Sequence, residues 1–516
     1  MRRNEDRQGK RLLHSCSHIR ATLVRMKHVR HSLGAISALL LASLLICGCS
    51  KPHVSGPVPG NASFNGLQFS LAPLGYQRDE YFLSGIATSY KPSGPLNDDG
   101  KWSVTPANTS PFTTRLVVIR PIDPAKFNGT ILVEWLNVTS GGDAPAEWTY
   151  THRELLRQGY AYVAVSAQQV GVEGGPSYFS GSKPLKQIDP ARYAKLHLPG
   201  DAFSYDIFTQ AGHLLRVNPA ALLGPLKPQR LIAAGESQSA IFLTTYVNAI
   251  DPIAKVFDGF LLHSRFGFAS GLNGSLDGSS GRGLPNASPV LIRDDVRVPV
   301  LMTVTETDLL SPLSTFLRVR QPDSNRIHTW EIAGTAHADN YVFGLGGTDS
   351  GLEPISQLAS GFRAIDSIGG HKLDVAINSA PQHHYVEQAA LHALNRWLSE
   401  GVAPPRAPLL DAAPGEIPKL VLDPNGNALG GIRTPWVDVP VATLSGMGQD
   451  GPQLLGLVGS TRPFPPAKLH ALYPRGSSDY QARFDASLQQ AIHSGFLLEA
   501  DAPEIRALAA ASYAQP

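Results

Sequence analysis

The stretch Leu231-Ile-Ala-Ala-Gly235-Glu236-Ser237-Gln238-Ser239-Ala240 is an apolar run that ends in a tight, small-residue turn around a serine. A strand that bends abruptly into a helix lifts the side chain at the bend clear of the backbone, which is how a fold presents a serine oxygen as a nucleophile. The usual form of this elbow is G-x-S-x-G, and here Ser239 stands where the second glycine is expected. Only a small residue fits that position, because strand and helix converge around the bend.

A serine alcohol becomes a useful nucleophile when a base takes its proton and an acid orients the base. In chains of this kind the order is Ser, acid, His, each on a loop beyond the end of a strand. The run at 298–304 leads into Thr305-Glu306-Thr307-Asp308, and the run at 329–333 leads into Gly334-Thr335-Ala336-His337-Ala338-Asp339. His337 is the expected base, with Gly334 permitting the bend, and His263 at the end of an earlier run is its nearest rival. Asp308 is preferred as the acid because it falls where the loop has left its strand. Glu306 is the alternative, and Asp339, close behind the base, is a third. Negative charge developing on the substrate oxygen needs backbone N–H donors. One is expected from Gln238 at the helix start. The other is expected from the polar, flexible, glycine-bearing loop Leu136-Asn137-Val138-Thr139-Ser140-Gly141-Gly142-Asp143, with Asn137 nearest the site.

Such a site needs a sheet beneath it. Short, nearly continuous apolar runs at 116–120, 130–135, 161–166, 230–234, 259–263, 298–304 and 329–333 predict strands, with helical spacing at 148–157, 203–216 and 386–399. Strands apolar on both faces and separated by helices predict a mostly parallel central sheet covered by helices, which together with the elbow resembles the α/β-hydrolase fold. The Gly/Ser/Asn-rich residues 266–294 and the excursion at 342–384 are expected to frame a pocket as lid insertions. Beyond the Pro-rich 403–408, residues 409–455 are expected to pack back on the body. Trp436 and Arg433 are expected to seal a core edge in preference to bordering the pocket, and helices are expected near 478–495 and 503–513.

The first 48 residues carry nine Arg or Lys against Glu5 and Asp6, so the rest of a chain of net charge +2 is mildly acidic. An acidic body gives no electrostatic case for nucleic acid. The basic segment Met26-Lys-His-Val-Arg30, the apolar run 33–46 and Cys47-Gly48-Cys49 read as a signal peptide, with Met26 as an alternative start. The tetrad ending in Cys49 resembles a bacterial lipobox. It implies a lipoprotein acylated with palmitate-type chains, held to a membrane of the bacterial cell envelope, with Ser50 favouring the outer one; a secreted or periplasmic protein is the alternative. The expected order is signal peptide 1–48, tether 49–66, hydrolase domain 67–405 and C-terminal extension 406–516. The only cysteines are Cys16, Cys47 and Cys49, so the body has no thiol nucleophile and no thiolate metal site. Dinucleotide, P-loop and zinc-protease motifs are absent, and no cofactor or metal is expected. His383-His384 shows no third ligand in the sequence.

Several stretches resemble the bacterial "alpha/beta hydrolase domain" proteins, a group of secreted or membrane-anchored serine esterases. They are 127–138, Gly235-Glu-Ser-Gln-Ser239, 258–265, Trp330-Glu-Ile-Ala-Gly-Thr-Ala-His-Ala-Asp339 and 430–440. In that family Glu-Ser-Gln-Ser is the ordinary elbow. The resemblance implies Ser237 as nucleophile and His337 as base, with the carboxylate among Glu306 and Asp308. The expected reaction is hydrolysis of a small or polymeric carboxylic ester through an acyl-enzyme. Lactone, amide or polyester hydrolysis on the same residues, and a non-catalytic ligand-binding surface lipoprotein, are the alternatives.

Overall fold

Alternation along the strands sets the architecture. In Thr130–Trp135, Ile131, Val133 and Trp135 point into one core layer while Leu132 faces another, and Leu231 and Ala233 against Ile232 and Ala234 repeat the pattern in the neighbouring strand. A strand buried on both faces requires cover on both. The computed structural model describes residues 52–177, 181–276, 288–368, 371–449 and 455–513. Its main sheet has nine strands: β1 (His53–Ser55), β2 (Tyr76–Pro92), β3 (Val104–Pro121), β4 (Thr130–Trp135), β5 (Ala161–Val165), β6 (Arg230–Glu236), β7 (Gly259–His263), β8 (Val300–Thr305) and β9 (Ile327–Ile332). They lie in the order β1-β2-β3-β5-β4-β6-β7-β8-β9. From β5 to β9 all pairs are parallel, whereas β1, β2 and β3 pair antiparallel.

The helices that cover this sheet are α1 (Ala146–Arg157), α2 (Ser204–Val217), α3 (Gln238–Thr245), α4 (Glu306–Leu310), α5 (Gln382–Glu400), α6 (Ser477–His493) and α7 (Ala502–Tyr513). One face carries α2 and α3, whose Phe208 and Phe242 rings lie 4.9 and 5.3 Å from Trp135. The other carries α1 and α5, with Tyr480, Phe484 and Leu508 of the last two helices in the same core. The carboxylate of Glu134, on β4, accepts the first N–H groups of α1 from Glu147 and Trp148, both at 2.9 Å. A buried acid thereby satisfies amides that a helix start leaves orphaned.

The α/β-hydrolase fold expected from the sequence is the one observed. Of the long β2–β3 ribbon only the 116–120 end was anticipated; the rest lacks the continuous apolar signature used to find the other strands. The expectation of a membrane-bound, palmitate-bearing lipoprotein is corrected. Among the described residues no helix is long and apolar enough to cross a membrane, and α5, 19 residues long, carries Glu387, Arg396 and Glu400. Cys49 and the signal-like segment before it lie outside the described residues.

Phe208 is fully buried between Trp135 and Phe257, the latter ring 5.1 Å away. Phe208→Ala is expected to destabilise the chain by about 3–5 kcal/mol, measured as a lowered urea midpoint with native circular dichroism retained before the transition.

Candidate active site

β4 connects to β5 on one side while β6 lies on its other side, so the order in which strands are added reverses between β4 and β6. Loops leaving the carboxyl ends of such neighbours diverge and open a crevice. The elbow after β6 and the 136–143 loop after β4 both lie at this point. Ser237 has φ 58° and ψ −120°, a conformation that costs a residue with a Cβ about 1–3 kcal/mol. Its N–H is held by the His263 carbonyl at 3.0 Å, and its carbonyl accepts from Ile241 N–H at 3.1 Å. A Cβ on Gly235 would stand 2.9 Å from the Ser239 Cβ and 3.0 Å from Leu243. The close approach of strand and helix therefore demands a glycine before the serine and tolerates Ser239 after it.

Ser237 Oγ lies 2.8 Å from His337 Nε2, and His337 Nδ1 lies 2.6 Å from Asp308 Oδ1. All three are almost wholly buried. Asp308 is the third residue of α4, and its second oxygen accepts from the N–H and hydroxyl of Thr305 at 2.9 and 2.7 Å while Thr305 Oγ1 accepts from Asp308 N–H. Burial alone would raise the Asp308 pKa, but His337 and the Thr305 donors outweigh it and hold the carboxyl below its ordinary value. Burial disfavours a charged His337; Asp308, by charge and hydrogen bond, and then Glu236 outweigh that and raise its pKa above 6.5.

Glu306, the alternative acid, faces away from His337. Its oxygens accept from Gly334 N–H at 2.6 Å and Gly446 N–H at 2.8 Å, joining the base-bearing loop to the C-terminal part of the chain. Burial pushes its carboxyl up to about 7. Asp339 accepts from Tyr341 N–H at 3.0 Å and meets His383 Nδ1 at 3.1 Å. His263, the rival base, meets Glu147 at 3.1 Å and His383 at 2.9 Å. The pair His383-His384 diverges: His384 stacks on Tyr341 with ring centroids 3.9 Å apart, whereas the donor atoms of His263, His383 and Glu387 lie within 4.8 Å of one another.

Gln238 opens α3, so its N–H has no acceptor within the helix. Asn137 is placed differently from expectation. Its N–H is used by the Ala144 carbonyl at 3.1 Å, and its side chain donates to the carbonyl and carboxylate of Glu236, both at 3.1 Å. The next amide, Val138 N–H, reaches Gln238 Oε1 at 3.3 Å. The expectation of a flexible loop is also corrected. Asp143 forms a buried ion pair with Arg115 at 2.8 Å, and residues 137 and 144 bridge like a short hairpin. Arg115 lies in β3, too remote in sequence for its partner to be read from the loop.

Glu236 was missed. The residue before Ser237 places a carboxylate oxygen 3.5 Å from His337 Nε2, and burial raises its pKa to about 7. The only sequence signal was an acid inside an apolar elbow. The C-terminal brace was also missed in detail. Ala442–Ser445 and Ser460–Pro463 form a hairpin, and the segments around it supply Leu457 O to Ala338 N–H at 3.0 Å and Gly446 O to Thr307 Oγ1 at 2.5 Å. Asn378, itself bonded to Val458, donates to the Gly334 and Ser445 carbonyls. Trp436 stacks on Tyr385, and Arg433 pairs with Asp423 and Asp438. The Phe266 ring stands 5.3 Å from that of His337. Of the expected lid insertions, residues 277–287 and 369–370 lie outside the described residues.

The sequence profile of the family described as "alpha/beta hydrolase domain" matches residues 54–507. Among solved structures, esterase Est22 is similar at 14% identity over 51% of this chain and 73% of that one, with a TM-score of 0.27. An esterase from the fungus Rhizomucor miehei is similar at 12% identity over 50% and 77%, with a TM-score of 0.26. XC6422 from Xanthomonas campestris, described as an α/β serine hydrolase without a lid, is similar at 12% identity over 49% and 86%, also with a TM-score of 0.26. No curated protein matches the chain.

Glu306→Ala is expected to orphan the Gly334 and Gly446 amides, at about 1–3 kcal/mol each. Calorimetry should record a lower Tm, and hydrogen exchange should quicken at 333–338 and 445–447 with the elbow unaffected.

Proposed function

The chain belongs to the alpha/beta hydrolase domain family, and from that premise we propose that it is a serine hydrolase cleaving carboxylic esters through a Ser237–His337–Asp308 triad. The observation that carries this reading is the unbroken pair of hydrogen bonds from Ser237 Oγ to His337 Nε2 and from His337 Nδ1 to Asp308. An ionised Asp308 can only accept, so Nδ1 carries the proton and Nε2 offers its lone pair to the serine hydroxyl.

In the first half-reaction Nε2 takes the hydroxyl proton as Oγ adds to the ester carbonyl carbon. The carbonyl electron pair moves to oxygen and is met by Gln238 N–H, aided by the positive end of the α3 dipole. Val138 N–H, held only by its 3.3 Å bond to a side chain, is the second donor, and Asn137 positions the loop through Glu236 and Ala144. The imidazolium returns its proton to the departing alkoxide as the C–O bond breaks. Water, deprotonated by the same Nε2, then attacks the acyl-serine and restores Ser237. An alkoxide leaves more readily than an amine, which favours an ester over an amide. Residues 67–405 serve as the catalytic body and 406–516 as an extension bracing its loops. The basic segment followed by the apolar run 33–46 supports a site of action outside the cytoplasm.

The test is turnover of aryl esters of graded acyl length, alongside labelling by a fluorophosphonate. The wild type is expected to turn over and to label, and Ser237→Ala to lose turnover by roughly 10⁴–10⁶-fold with its fold intact. Turnover kept in Ser237→Ala sinks the triad. A wild type that neither labels nor turns over an ester, lactone or amide is instead the non-catalytic binding protein.

The base must be neutral to work, so activity should fall as pH drops through the His337 pKa, which lies above 6.5. Glu236→Gln removes a charge that favours the imidazolium. The acid limb of kcat/KM is expected to shift to lower pH in that variant, and a limb that stays put contradicts the role given to Glu236.

A further inference from the structure

Behind the elbow, on the side covered by α1 and α5, lies a second group of chemistry-bearing side chains that ester hydrolysis does not use. His263 ends β7, and His383 and Glu387 stand four residues apart on α5, so both face the sheet on one side of the helix. All three are at most 1% exposed. His263 Nδ1 meets Glu147 Oε2 at 3.1 Å, and His383 Nδ1 meets Asp339 Oδ2 at 3.1 Å. Each ring is thus held from its Nδ1 side by a carboxyl group. The two Nε2 atoms, turned away from those carboxyl groups, face each other 2.9 Å apart. Two imidazole nitrogens at that distance share either a proton or a cation.

A third donor converges on the same point. Glu387 Oε1 is buried without a hydrogen-bond partner, 3.5 Å from His263 Nε2 and 3.9 Å from His383 Nε2. Its other oxygen is fixed by the Thr303 hydroxyl at 3.0 Å. The point equidistant from the three donor atoms is about 2.0 Å from each, the length of a zinc–nitrogen or zinc–oxygen bond. Among the described residues none of Glu147, Asp339 and Glu387 is paired with Lys or Arg. The group therefore gathers three buried carboxyl groups with no basic side chain paired to them. The Tyr150 ring packs 4.9 Å from His263 and 4.4 Å from His383, and its hydroxyl reaches Asp339 at 3.3 Å. That closes the group from solvent.

We propose that His263 Nε2, His383 Nε2 and Glu387 Oε1 bind one divalent first-row transition metal, zinc by the chemistry of the donors. Two imidazoles and one carboxylate, with no thiolate, suit zinc, whereas calcium and magnesium take oxygen alone. Glu147 and Asp339 orient the two rings from behind, as carboxylates do for metal-bound histidines. The ion's work is positional. It ties the end of β7, whose His263 carbonyl holds the Ser237 amide, to α5, and through Asp339 to the loop two residues beyond His337. This inference does not depend on esterase activity.

The test uses the full, untagged chain purified without chelator from zinc-supplemented medium, with metal content read by plasma mass spectrometry. About one zinc per chain is expected, falling below about a tenth in His383→Ala and in Glu387→Gln and unchanged in His392→Gln, a histidine outside the group. Because buried substitutions can unfold a protein, the wild type supplies a second reading: chelator-stripped chain should melt lower and recover with equimolar Zn²⁺ but not Mg²⁺. One equivalent of another first-row metal, lost in the same variants, supports the site and overturns zinc as its occupant. The proposal is overturned by a wild type that holds no transition metal and whose stripped form is unmoved by Zn²⁺; a shared proton then separates the imidazoles. It is equally overturned by metal that persists in both variants.

Discussion

The backbone of Ser237 is held where a residue with a side chain does not rest willingly, and the surrounding structure is arranged to keep it there. Its positive φ is sustained from three sides: β7 grips its amide, α3 its carbonyl, and the missing side chain of Gly235 lets strand and helix close on each other. The strain is small beside the burial of a nine-stranded sheet, but it is concentrated on one peptide. Relaxing it would swing Oγ away from the His337 imidazole.

Around that peptide, buried carboxylates of similar chemistry have separate tasks, and their donors decide which. Asp308 is supplied with Thr305 N–H, Thr305 O–H and an imidazole, and stays ionised opposite His337. Glu306, two residues earlier, is met by two backbone amides from distant segments and becomes a tie between loops. Glu236 has a side-chain amide and a neighbouring imidazole, too little to offset its burial, and stays near the point of gaining a proton. In a dry site the number and direction of donors outweigh the identity of the acid.

The parallel strands, the elbow turn and the place of His337 were legible because each leaves a local mark: a continuous apolar run, a small-residue turn, a glycine shortly before a histidine. The choice between Asp308 and Glu306 turned on their positions within a helix of five residues, the first against the third, below the resolution of any periodicity. Asn137 was misplaced because its N–H is consumed by Ala144 and its side chain by Glu236, partners that only the folded loop brings near. The β2–β3 ribbon escaped because its outer halves are polar and exposed. His383 lacked visible companions since His263 lies 120 residues away from it.

The brace over the loops that carry Asp308 and His337 comes from late in the chain. A polypeptide leaving a ribosome or an export channel presents the sheet, the elbow and both loops well before residues 432–461 appear. Until then Thr307, Ala333 and Ala338 lack the partners that fix the loop on which His337 sits. Contacts so distant in sequence form late, because closing a long loop costs entropy before it is repaid. Assembly of Ser237, His337 and Asp308 is thereby made one of the final events of folding, and the half-emerged chain carries Ser237 with no fixed His337 beside it.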